Sequence, residues 1–418
     1  MTAGTPHVVW LAPVSWDGIP GSDRALAMSL ARYARILWVD PPVSAATTAR
    51  HHGAAARRRM PSLSVIDDRI TRFSTVALPG FTRPGIRATT APLVRAQVQW
   101  AVRRLGIKPF AVVAGYLDDL LGRWGGAVNV VYSTDDLVAG AGLMGLSADR
   151  VRFQERQAVA RADVLVVVSP QLADHWSALG ADPVLIPNGC FPAYPSVDSP
   201  SAAATGLPRP VVGLVGNLNE RIDIGILEAV ADAGFSLLLV GPYDVRWARD
   251  RFAALIARPA VNWVGRVPAD AVPPYLAAID VGITPYQNSP FNYASFPIKT
   301  LEYLSAGRPV VSTDLPGSRW LRDDLASTDP EPGQLLALAE DPAGFVAALR
   351  RMAGEPGGAA PTEAGPVAAT PELALAGRAR AFAGRHSWPR RADAFAAAIG
   401  LPTASRQTTN ADEVSPIF

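Results

Sequence analysis

Cysteine and long apolar runs are nearly missing from this chain, and each shortage excludes a class of protein. The one cysteine, Cys190, cannot form an intrachain disulfide, so a disulfide-stapled secreted scaffold is excluded and a reducing compartment is expected. No apolar stretch reaches the ~18–20 residues of a spanning helix, which leaves peripheral membrane contact as the only kind expected. Met1 to Pro6 carries no basic segment, and Pro13 and Asp17 interrupt the apolar run that follows, so no cleaved leader is expected. The histidines (His7, His51, His52, His175 and His386) lack the spacing of metal ligands.

What is present points to an α/β protein of two domains. The 418 residues exceed one ordinary core, and 49% hydrophobic with 18% charged residues suits buried parallel strands. Net charge is only +2, yet Arg50 to Lys108 holds twelve basic residues against Asp67 and Asp68. Either this is a solvated arginine-rich surface or it meets an anionic partner such as an acidic lipid or a lipid-linked phosphate. Arg57, Arg58 and Arg59 and the helix carrying Arg95, Arg103 and Arg104 are the candidates. No nucleic-acid module accompanies the charge, so no nucleic acid is expected.

Short β-branched or aliphatic runs alternate with helical patterns, as in a series of βαβ units. The strands predicted in the first half are His7–Leu11, Ile36–Val39, Ser74–Ala77, Ala111–Ala114, Asn129–Tyr132, Val164–Val168 and Val184–Ile186. Helices are predicted over Ser22–Tyr33, with Ser22 or Asp23 as its cap, and over Ala91–Leu105 and Asp149–Ala160. A second series follows at Val211–Val215, Ser236–Val240, Val261–Val264, Val281–Thr284 and Val310–Ser312. The expected organisation is a first domain over 1–191, a Pro/Ser/Ala-rich linker over 192–210 and a second domain over 211–372. A Gly/Pro/Ala-rich mobile loop is expected over 353–371, helices returning to the first domain over 373–402, and a disordered tail over 403–418.

The segment Ser295-Phe-Pro-Ile-Lys-Thr-Leu-Glu-Tyr-Leu-Ser-Ala-Gly-Arg-Pro-Val-Val311 reads as a loop, a short helix and a buried strand. Pro297 suits the first helical position, Gly307 stops the helix, and Val310 and Val311 open a strand. Free N–H groups and the positive dipole end near Ile298 would favour an anion. Lys299, in the first turn, opposes the dipole unless an anion sits there. Glu302 lies one turn on, on the same face. A phosphate at Lys299 with ribose hydroxyls at Glu302 is one coherent reading; an ordinary i, i+3 ion pair is the other.

This segment resembles the donor motif of the retaining group-1 glycosyltransferases (glycosyltransferase family 4, GT-B fold), with Phe296, Glu302, Ala306, Gly307, Pro309, Val310 and Val311 in register. The family's first motif glutamate falls at Ala294 and its glycine at Pro297, which alters the half of the motif that reads the sugar. The resemblance runs from about Val8 to Phe395. It implies two Rossmann-like domains with parallel sheets facing a central cleft, the second binding a nucleoside-diphosphate sugar. It places donor contacts at Gly216, Asn217 and Arg221 after the strand Val211–Val215, and at Gly241, Arg266, Ile298, Lys299, Thr300 and Glu302. Arg221 is equally readable as a surface arginine.

In the first half the resemblance implies a glycine loop after His7–Leu11, with Gly18 near donor phosphates and Asp17 and Gly21 toward the acceptor. A plain βα connection is the alternative. Asp135 and Asp136 stand where many family members carry a histidine near the transferred sugar, and either is also readable as a helix cap. No Asp-x-Asp lies on a donor loop, so no metal and no further cofactor are expected. Arg221 and Lys299 would stabilise the leaving nucleoside diphosphate. The resemblance implies transfer to a glycan or lipid-linked acceptor in cell-envelope polysaccharide or glycolipid synthesis; the single cysteine suits a cytoplasmic protein, and the basic stretch Arg50–Lys108 would suit docking on an anionic inner membrane face. A nucleotide-sugar epimerase and a non-catalytic nucleotide-sugar or glycan-binding component are the rival readings. Neither the sugar nor the base is legible in the side chains.

Overall fold

In a computed structural model of the chain the two series of apolar runs become two separate sheets. The structure describes residues 5–44, 60–81, 83, 85–117, 120–122, 124–191, 206–356 and 371–403. Most of the expected linker 192–210, loop 353–371 and tail 403–418 lies outside these residues, as do Arg50, Arg57, Arg58 and Arg59.

The first unit comprises residues up to Pro187 together with a segment starting at Pro389. Its elements are β1 (His7–Leu11), α1 (Ser22–Leu30), β2 (Arg35–Ser44), β3 (Ser62–Val65), β4 (Ile70–Ala77), α2 (Thr90–Arg104), β5 (Pro109–Ala114) and β6 (Val128–Ser133). They continue through α3 (Ala148–Val159), β7 (Val164–Val167), α4 (Pro170–Ala178) and β8 (Pro183–Leu185). The sheet order is β3-β4-β2-β1-β5-β6-β7-β8, parallel except for the β3–β4 pair. β3 has no counterpart among the predicted strands. Its burial is only partial, so no clean alternation marks it, and it forms as an antiparallel edge on β4. Ser22 and Asp23 do not cap α1: Gly21 holds the cap position without a side-chain bond, and Asp23 turns inward.

The second unit runs from Asn188 to Trp388. It contains β9 (Val211–Val215), α5 (Ile224–Asp232), β10 (Ser236–Val240), α6 (Arg249–Ile256), β11 (Val261–Gly265), α7 (Pro273–Ala278), β12 (Val281–Thr284) and α8 (Pro290–Ala294). Then follow α9 (Ile298–Ser305), β13 (Val310–Thr313), α10 (Pro316–Ala326), α11 (Pro332–Leu335), β14 (Leu336–Ala339), α12 (Pro342–Ala353) and α13 (Pro371–Arg385). The order is β11-β10-β9-β12-β13-β14, all parallel. The sequence reading omits β14, a four-residue edge strand of alanines and leucines that a helix would accommodate equally well.

The division between units falls after Pro187, four residues before the boundary expected from composition. The helices expected to return to the first domain over 373–402 divide between the units after Trp388. α13 stays with the second, and α14 (Trp388–Ala398) joins the first. There Phe395 stacks near Trp10 and meets Tyr132 edge-on, completing an aromatic core with Trp38. Among the described residues no helix is long and apolar enough to cross a membrane.

Candidate active site

In the second sheet, chain order runs outward from β9 to β10 and β11, then resumes on the other side with β12, β13 and β14. The carboxyl ends of β9 and β12 are therefore a topological switch point, where open α/β sheets leave a crevice. Four glycines let backbone and side chains close on it. A Cβ on Gly241 would stand 1.8 Å from the Gly216 carbonyl oxygen, so the turns after β9 and β10 touch only because Gly241 has no side chain. A Cβ on Gly213 would collide with Ile279 and one on Gly282 with the Tyr303 ring, at 2.2 and 2.4 Å. The buried Tyr303 hydroxyl accepts the Val215 N–H at 2.7 Å, which fixes α9 to the end of β9.

α9 presents Lys299 and Glu302 over that end. The Lys299 ammonium meets Glu302 Oε2 at 2.6 Å, and its Cε lies 3.6 Å from where a Gly216 Cβ would be. Burial lowers the Lys299 pKa, but the Glu302 carboxylate outweighs it and holds the ammonium above the ordinary lysine value. The ion pair read from spacing is thus present, and it stands beside the glycine turn rather than on an open surface.

Arg221 lies in the loop after β9. Its Nε donates to Asn292 Oδ1 at 2.9 Å and a terminal nitrogen donates to Ser295 Oγ at 3.2 Å. Its guanidinium sits over the Phe291 and Tyr286 rings, 4.9 and 5.4 Å from their centroids. Asn292, itself buried, donates to the Arg221 and Gln287 carbonyls, both at 2.9 Å. A recess opens among Arg221, Tyr286, Asn292, Ser295, Pro297 and Ser318.

Two of the expected donor contacts are placed elsewhere. Thr300 is fully buried, its hydroxyl 3.4 Å from that of Thr284, because its side of α9 faces the sheet. The Ile298 N–H is not free: it donates to the Phe296 carbonyl at 3.0 Å, and Thr300 N–H donates to that of Pro297 at 3.1 Å. Pro297 caps the helix rather than opening it. Asn217 and Arg266 are both exposed, the latter just after Gly265, which is in the left-handed region at φ 80°.

In the first unit Asp17 pairs with Arg72 at 2.8 Å, and Arg72, buried, is also bound by Asp40 at 2.7 Å. Gly18 closes a turn on the Ser15 carbonyl, and Gly21 is exposed at the start of α1. Asp135 and Asp136 follow β6. Asp136 accepts the Ala139 N–H at 2.8 Å and so caps a turn rather than a helix, the next helix starting at Ala148. Asp135 lines a recess with Tyr132, Ser133, Thr134, Glu155 and Trp176.

Beside the recess is a buried acid that sequence reasoning missed. Trp10 Nε1 donates to Asp23 Oδ1 at 3.1 Å, and a Cβ on Gly115 would lie 2.4 Å from that oxygen. Burial, with Asp135 adding to it, pushes the Asp23 carboxyl up to about 7. Tyr303 and Glu155 were missed for the same reason: their roles depend on partners 88 and 20 residues away. Among the described residues no three His, Cys, Asp or Glu side chains converge as metal ligands.

Residues 209–355 match the model of the family described as glycosyl transferases group 1. The match lies within the second unit, and the fold of the chain is GT-B, with two Rossmann-like α/β units. It is 33% identical over 149 residues to TuaH of Bacillus subtilis, a glycosyltransferase named for teichuronic acid biosynthesis. The match covers 35% of this chain and 36% of that protein, so the chain spans about a third of the curated relative's length. Sucrose-phosphate synthase of Thermosynechococcus elongatus superposes with a TM-score of 0.67 at 18% identity, over 94% of this chain and 98% of its own. HepE of Anabaena, solved with UDP and glucose, gives 0.62 at 16% identity, over 94% and 99%.

Proposed function

We propose that the chain transfers a sugar from a nucleoside-diphosphate sugar to a hydroxyl acceptor, with retention of configuration and without a metal ion. The observation that carries this reading is Lys299 paired with Glu302 beside the Gly216 turn at the switch point of the second sheet. An ammonium there meets the diphosphate, and the neighbouring carboxylate accepts from ribose hydroxyls. Arg221, already oriented by Asn292 and Ser295, adds positive charge where the leaving group develops negative charge. The family match over 209–355 and the UDP and UDP-glucose complexes of HepE support the donor class.

Titration of UDP into Lys299→Ala and Glu302→Ala tests the assignment. Affinity should fall at least tenfold in each, as charge-assisted hydrogen bonds contribute about 1.5–3 kcal/mol, while the far-UV spectrum stays that of the parent. Unchanged affinity in both variants would sink it. The acceptor is a glycan or lipid-linked glycan of the cell envelope, in keeping with the pathway for which TuaH is named. The protein works on the cytoplasmic side and docks on anionic lipid. Arg83, Arg87, Arg103, Arg104 and Lys108 are exposed, and Trp100 and Leu105 stand among them at 47% and 39% exposure. Co-sedimentation with anionic vesicles, lost in high salt, is the expected result.

A further inference from the structure

The recess of the first unit and the loop that leaves it have opposite characters. Two carboxylates line the recess, Asp135 and Glu155, together with the hydroxyl residues Ser133 and Thr134, and no lysine or arginine is among its described lining residues. Glu155 is nearly fully buried and keeps its place by bonding His175 Nε2 at 3.1 Å. Trp176 Nε1 donates to Ser133 Oγ at 3.0 Å, which orients that hydroxyl. Such a lining accepts hydrogen bonds from hydroxyls and repels phosphate.

The chain then passes through Leu137, on the recess wall, into a stretch without charge. Residues 137–148 contain no acidic or basic side chain and one polar one, Ser147, in a protein that is 18% charged. Three of its large apolar residues are exposed: Leu143 at 47%, Met144 at 42% and Leu146 at 49%; Phe153, on α3, adds a fourth at 55%. The stretch is not loose chain. Asp136 caps its first turn, Met144 N–H donates to Gly140, and Leu146 N–H reaches back to Ala141 across Gly145, which is in the left-handed region at φ 66°. A fold that spends hydrogen bonds on presenting apolar side chains to water, directly beyond a hydroxyl-binding recess, fits one ligand with both characters.

We infer that this face binds an amphiphilic acceptor, with a neutral hydroxylated head in the Asp135–Glu155 recess and an apolar chain along Leu143, Met144, Leu146 and Phe153. The inference rests on the glycosyl-transfer reading, which it deepens by naming the acceptor class. The lack of charge along the loop selects an uncharged chain rather than a polyanion.

The test uses the full chain with two probes, octyl β-glucopyranoside below its micelle concentration and methyl β-glucopyranoside, each titrated calorimetrically. The octyl glycoside should bind at least tenfold tighter. Leu146→Ser with Phe153→Ser, both exposed positions, should bring it down to the methyl glycoside while thermal stability holds. Ser133→Ala should weaken both probes by a similar factor. Equal affinities for the two probes, an octyl preference untouched by the double variant, or no binding of either would overturn the inference. So would binding to neutral phosphatidylcholine vesicles that the double variant abolishes, since the loop would then serve a bilayer. UDP titrated into the same samples separates the two readings: lost UDP binding with retained octyl preference removes the donor assignment and leaves this one standing.

Discussion

At the carboxyl ends of β9 and β12 the polar side chains are Lys299, Glu302 and Arg221; at those of β5 and β6 they are Asp135 and Glu155 with the hydroxyls of Ser133 and Thr134. Both sets sit at strand ends of largely parallel sheets, so topology explains why a recess forms in each place. It does not explain their charge. One end is dressed with cations that suit a diphosphate, the other with acceptors that suit neutral hydroxyls, and the difference lies in the strand ends and the loops and helices that follow them.

The sharpest way to break this comparison is through the glycines that shape the cationic end. Gly241→Ala places a Cβ 1.8 Å from the Gly216 carbonyl at φ 144°. It should destabilise the protein by about 3–5 kcal/mol through overpacking and backbone strain and abolish UDP binding. Gly21→Ala, with no atom within 4 Å of the new Cβ, should change stability by less than about 0.5 kcal/mol. Denaturant midpoints of the two variants check both statements.

The acidic end is better tested by pH. Asp23, normally 3.8, titrates near 7 in the folded protein, so the folded state holds its proton more tightly than the unfolded chain. Stability from this group is therefore largest below pH 4 and is lost as pH rises from about 4 to about 7. Asp23→Asn keeps an acceptor for Trp10 and removes the charge. It should gain up to about 4 kcal/mol over the parent at pH 8 and lose that advantage by pH 4, as chemical denaturation at the two pH values will show.

His175 should give the smallest effect. Its bond to Glu155 raises its pKa above 6.5, against a smaller lowering by burial. The stabilisation is then full below about pH 6.5 and is lost as pH climbs through the higher folded value. A melting temperature falling by about 2 °C across that window, and flat in His175→Gln, is the expected scan.

Much of the fold was legible because parallel strands buried on both faces leave uninterrupted apolar runs: β1, β9, β10 and β12 lie at the predicted bounds. The edge strands β3 and β14 were not, since an edge position leaves no such run. At the candidate site the Lys299–Glu302 pair was visible because helical spacing alone brings the two together. Thr300 and Ile298 were misplaced because the same spacing cannot say which side of α9 the sheet covers, or that Phe296 takes the first N–H.

The sequence by itself determined the class: alternating strands and helices, a proline- and glycine-bounded helix with Lys299 and Glu302, and one cysteine. These are local properties, fixed by periodicity, capping and composition over a few residues. Tertiary structure alone decided that Gly241 must lie against Gly216, that Tyr303 ties α9 to β9, and that Asp23 is buried beside Trp10. Each of those joins residues from separate elements, and only the packed sheet fixes which of them meet and how little water remains between them.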